Sequence, residues 1–134
     1  MSKLSVELIA LADYVSLSKE NKITIAGIFD RFFIEDVPTN WPTMSVVAVF
    51  RGVPESEHKL LFKIVDSTGK IIIEKELPLK VGSNGKANFI TSLQNFPLRS
   101  FGEHKILLTE GESKAGEVDF IVNKSKKPNN EMVS

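Results

Sequence analysis

Apolar and polar residues alternate with a period of two through most of residues 43–122, the pattern of half-buried strands. In 58–66, Leu60, Phe62 and Ile64 point one way and Lys59 and Lys63 the other. In 70–79, Ile71, Ile73, Leu77 and Leu79 are expected inside and Glu74 and Glu76 outside. Pro78 cannot donate to a ladder, so this strand belongs at a sheet edge. In 86–93 the inward set is Ala87, Phe89, Thr91 and Leu93. Residues 43–50 are apolar on both faces and predict a central strand. Residues 103–109 and 115–122 form a last hairpin around Glu110-Gly111-Glu112-Ser113. Asp66-Ser67-Thr68-Gly69 is another hairpin turn, with Gly69 supplying a positive φ. Residues 95–102 are expected to cross between sheets. No segment carries a helical period.

The first third of the chain departs from this alternation. Residues 23–34 form its most apolar long run, rich in Ile, Phe and Thr, which suit a pleated surface. Gly27 in its middle would weaken a helix. Residues 4–17 are also apolar, and Ser18-Lys19-Glu20-Asn21-Lys22 between the two runs is a turn composition, with Asn21 able to turn left-handed. A hairpin with Ser18 opposite Lys22 follows. In that register Ile9, Leu11, Val15 and Leu17 share a face with Ile23, Ile25 and Phe29, and Leu8, Ala10, Ala12 and Tyr14 share the other with Ala26, Ile28 and Phe32. Both faces are mostly apolar, yet a sandwich hides only one face of a hairpin. Three explanations compete: the ribbon changes sheets at Gly27 or Asp30, a loop with Trp41 as its lid covers the outer side, or that side is an interface.

These elements predict an all-β protein, an immunoglobulin-like Greek-key β-sandwich of about eight strands with a long N-terminal hairpin. One domain spans 1–123, and 124–134, nearly free of apolar residues, is expected to be a disordered tail. His104 stands where such domains often carry a corner tyrosine. Leu11-Ala12-Asp13-Tyr14-Val15, Gly27-Ile28-Phe29-Asp30-Arg31 and Gly102-Glu103-His104 resemble a family of small, uncharacterised bacterial β-sandwich proteins over most of 4–122. The resemblance implies the fold and a prokaryotic source, and it brings no activity with it.

Composition narrows the chemistry. Seventeen Lys and Arg balance seventeen Asp and Glu, so no net field draws the chain to nucleic acid or to anionic lipid, and neither is expected as a partner. The absence of cysteine removes disulfides and thiolate chemistry and fits a reducing, cytoplasmic setting. Lys3 followed by the apolar 4–12 has a faint signal-peptide look, but Glu7 interrupts it. No run is long enough to span a bilayer. Phosphate loops, dinucleotide fingerprints, zincin helices and nucleophile elbows are all missing. His58 and His104 each begin a strand with no carboxylate at ligand spacing, so no metal or cofactor is expected. Asp13 and Asp30 fall on opposite sides of the hairpin, which argues against a carboxylate dyad; a bend at Asp30-Arg31 would expose both charges.

The chain therefore reads as a non-catalytic, protein-binding or assembly module. Its candidate interface is the outer hairpin face: Leu8, Ala12, Tyr14, Ile28, Phe32, Ile34 and Trp41. The partner is a second copy or another protein. The alternative is a small-ligand or carbohydrate-binding sandwich using loops 51–57, 82–86 and 110–114. An enzyme would need His58 or His104 beside a carboxylate in a concave site.

Overall fold

A computed structural model describes residues 4–125. Nine strands run β1 (Ser5–Leu17), β2 (Ile23–Phe29), β3 (Arg31–Ile34), β4 (Thr39–Arg51), β5 (Glu57–Val65), β6 (Ile71–Lys80), β7 (Lys86–Leu98), β8 (Gly102–Glu110) and β9 (Ser113–Lys124). They form a four-stranded sheet, β2-β1-β4-β7, and a five-stranded sheet, β3-β9-β8-β5-β6. Strands β4 to β9 make the Greek key of an immunoglobulin-like sandwich. The N-terminal segment is shared between its two layers. β1 pairs antiparallel with β4, whereas β3 pairs parallel with β9 in the opposite sheet.

Asp30 is the switch point. It splits the single run expected over 23–34, which is why nine strands stand where about eight were expected. Its carbonyl accepts from Ile121 N at 2.9 Å, and Asp30 and Arg31 are both exposed. Past the switch, Phe32 and Ile34 enter the core. The Phe32 ring meets Phe29, Trp41 and Phe120 edge to face at 5.0, 4.7 and 5.4 Å. Phe50, Phe62, Leu60, Ile64, Ile106 and Leu108 fill the rest of the space between the sheets.

Several expectations need correction. β7 does not leave its sheet at Asn95 but continues to Leu98, paired with the start of β4. The inward set changes parity there, from Ala87 and Phe89 to Phe96 and Leu98. The change coincides with Asn95 at φ 51° in β7 and with Pro42 on the facing strand, which has no N–H to give. Ile71 is exposed because a bulge at Ile64/Val65 shifts its register. β6 lies at the sheet edge where Pro78 put it. The predicted tail begins too early: Lys124 closes β9, and Ser125 N donates to Ile34 O at 2.7 Å. The rest of that tail, 126–134, lies outside the described residues.

Candidate functional site

The first hairpin has the predicted register. Leu17 faces Ile23, Val15 faces Ile25 and Ala12 faces Ile28. Ser18 N donates to Lys22 O at 2.9 Å, and Asn21 takes φ 64°. Ser18 Oγ accepts from the N–H groups of Glu20 and Lys22 and ties the turn down.

Only the first part of β1, through Ala12, pairs with β4. Leu17 lies nine positions beyond Leu8, the partner of Val49, so a straight strand would carry it about 30 Å away. Instead Leu17, Asn21 and Ile23 share one cleft with Val49, Ala87 and Asn88. The ribbon therefore doubles back over the outer side of the four-stranded sheet. The bend falls at Asp13 and Gly27, which drop out of the ladder between Ala12↔Ile28 and Tyr14↔Ala26. Gly27 has φ 73°, which side-chain-bearing residues rarely adopt, and the Asp13 carboxylate occupies the space where a Cβ would sit.

This return explains much of the apolar excess. Ala10, Ala12 and Val47 lie on the outer side of the sheet, apart from the main core, and are buried all the same. Of the seven candidate interface residues, Ala12, Phe32 and Ile34 are buried within the subunit and cannot supply surface. Ala12 lies on the covered outer side, and the other two follow the chain through the switch at Asp30 into the opposite sheet. Trp41 is not a lid, because it packs in the sandwich against Phe32. Three candidates remain on the surface: Tyr14 at 57%, Ile28 at 64% and Leu8 at 37% exposure. Leu17 is exposed as well. β2 is a sheet edge, paired only with β1. The outer side of the other sheet is charged, with Lys105 bridging Glu117 and Asp119 and Lys59 near Glu76.

The loops of the alternative reading gather at the opposite end from the Phe32 cluster. Gly52 N donates to Gly85 O, and Val81 N to Ser56 O. None of the three loops carries an aromatic side chain. They do hold an arrangement invisible in sequence. His58 Nδ1 lies 2.6 Å from Glu110 Oε2, and its Nε2 lies 2.9 Å from Ser56 Oγ. The spacing is that of a nucleophile, base and acid in a row. The surrounding backbone argues for a latch. Ser56 Oγ donates to Val53 O at 2.6 Å, and the N–H groups of Glu55, Ser56 and Val81 are all spent on nearby carbonyls. The N–H groups of Glu55 and Ser56, beside the hydroxyl, are thus not free to serve an oxyanion. The buried imidazole instead ties the 52–56 loop to the turn between β8 and β9. Among the described residues, no cluster of three His, Asp or Glu could hold a metal.

His104 fills the corner position. Its ring is buried against Phe120, centroids 4.9 Å apart, and Nδ1 donates to Gly102 O at 3.0 Å. Its Nε2 is buried with no partner. Burial holds its pKa below the ordinary histidine value, against the opposing pull of the Gly102 carbonyl and the Asp66 charge. Unfolded histidine titrates at about 6.5. Below that pH the unfolded chain takes up a proton that the folded chain resists. Stability is then full above the unfolded value and is lost as pH falls through the lower folded one. Urea midpoints should fall between about pH 7 and pH 5, and His104→Phe should flatten that slope. An unchanged slope in the variant would assign the acid sensitivity elsewhere.

The profile of a family of unknown function, DUF6941, matches residues 7–123. The chain belongs to this family. No curated protein matches the sequence. Among solved structures, the chain is similar to part of the Pseudomonas fluorescens alkylpurine DNA glycosylase AlkC, with TM-score 0.53 and 11% identity, covering 90% of this chain and 30% of the glycosylase. It is similar to part of a Listeria innocua β-glucosidase, with TM-score 0.50 and 9% identity, covering 95% of this chain and 17% of the enzyme. An immunoglobulin-like protein from Pseudomonas aeruginosa aligns with TM-score 0.48 and 12% identity over 90% of this chain and 97% of its own. The chain thus spans under a third of the two enzymes, and at these identities the likeness is one of fold. No helix among the described residues is long and apolar enough to cross a membrane.

Proposed function

We propose that this member of the family is a non-catalytic assembly module of the bacterial cytoplasm, docking through the exposed rim of its N-terminal hairpin. The rim is Tyr14, Ile28 and Leu8, beside the free edge of β2. One observation carries the reading: Ile28 and Tyr14 stay more than half exposed on a ribbon whose Ala10, Leu11 and Ala12 are buried. Exposed large apolar side chains near an unpaired strand edge favour protein contact, by side-chain packing or strand addition. The occupant we propose is a second copy of the chain. The lack of cysteine suits a reducing compartment.

Sedimentation equilibrium tests this. The native protein should exceed its 14.9 kDa monomer mass at high concentration. Tyr14→Asp with Ile28→Asp should return it to a monomer with its fold intact. A native chain that is monomeric throughout would refute self-association.

A further inference from the structure

The cleft beneath the hairpin tip has a volume of about 520 Å³, in the range of small-molecule sites. Its apolar lining includes Leu17 and Ile23 on the hairpin and Val49 on the outer side of the sheet. Its polar lining is of one kind. Lys80 and Lys86 contribute ammonium groups, Asn84 and Asn88 contribute amides, and no Asp or Glu lines it. That bias stands out in a chain whose charges balance overall. Asn84 Oδ1 already accepts from Lys86 N, which leaves the amide N–H₂ end of Asn84 as a donor. Each lysine has a carboxylate 3.6 Å away, Glu55 for Lys80 and Glu7 for Lys86, at exposed sites where such pairs exchange readily.

We propose that this cleft binds a small amphiphilic anion. Its apolar stem lies between the hairpin tip and the sheet, and its acidic head meets Lys80 and Lys86. A lining of two ammonium groups and amides, whose surface ion pairs with Glu55 and Glu7 can be exchanged for a ligand's acid group, selects negative charge, and the aliphatic walls select an apolar body. The hairpin wall is joined to the sheet through the bend at Gly27, so occupancy would also hold the ribbon in its returned position. The site uses none of the rim residues Tyr14, Ile28 and Leu8, so it stands apart from the assembly reading.

The test is displacement of anilinonaphthalene sulfonate fluorescence from the full chain. Decanoate and decyl phosphate, matched in chain length, should both displace the dye, and decyltrimethylammonium should not. Lys80→Gln with Lys86→Gln should weaken decanoate by about tenfold while the thermal midpoint is kept. Tyr14→Asp with Ile28→Asp should leave the affinity unchanged. Equal displacement by cation and anion, undiminished binding by the lysine variant, or no dye binding at millimolar concentration would each overturn the proposal. Displacement by decyl phosphate but not by decanoate would narrow the head group to a phosphate and support the site.

Discussion

Phe32→Ala is expected to remove about 3–5 kcal/mol of folding stability, the usual cost of emptying an aromatic site in a packed core. Phe32 is only 1% exposed, and three aromatic rings surround it. These neighbours come from β2, β4 and β9, elements of both sheets, so the cavity could not collapse by moving one strand. A domain of this size holds about 5–15 kcal/mol in all, so the variant should be near the limit of folding. Ile28→Ala, four residues earlier in the same apolar run, should change stability by less than about 0.5 kcal/mol because Ile28 is already in solvent. Urea denaturation of the two variants reads the contrast directly. Equal losses would mean that the chain does not change sheets at Asp30.

Glu110→Ala should be the second large effect, at about 1–3 kcal/mol. The His58 side chain is 1% exposed, and Glu110 provides the partner for its Nδ1. Without the carboxylate, a buried N–H keeps its desolvation cost and loses its hydrogen bond. Glu110→Gln, which keeps an acceptor, should recover part of the loss. Ser56→Ala should cost less, because it removes a neutral hydroxyl partner of His58 rather than a charged carboxylate. If the three changes cost the same, the row of side chains acts as one unit rather than as a carboxylate-led latch.

What the sequence showed and what it hid divide along physical lines. The hairpin register was legible because its turn is local: Ser18 and Asn21 determine the pairing within five residues. The edge position of β6 was legible because Pro78 lacks a donor. The exchange of Phe32 and Ile34 into the opposite sheet was one of three explanations left open, since Asp30-Arg31 signals a break without saying where the chain goes next. The parity change at Asn95 falls opposite Pro42 in another strand, a pairing that neither stretch reveals alone. The His58–Glu110 contact spans 52 positions, and periodicity carries no information at that distance. The bend at Gly27 was concealed for a related reason. A glycine in a strand announces weakness, but the Asp13 carboxylate that fills its missing side chain sits on the partner strand.

The anion-selective cleft exists only if the ribbon comes back over its own sheet. The absence of native cysteine makes a direct distance measurement simple. Spin labels on Glu20→Cys and Asn88→Cys report the separation of the hairpin tip from the sheet by pulsed dipolar resonance. A returned ribbon predicts a distribution centred below about 25 Å; a ribbon projecting straight past Ala12 would place the labels about 40 Å apart, and that result would contradict the account.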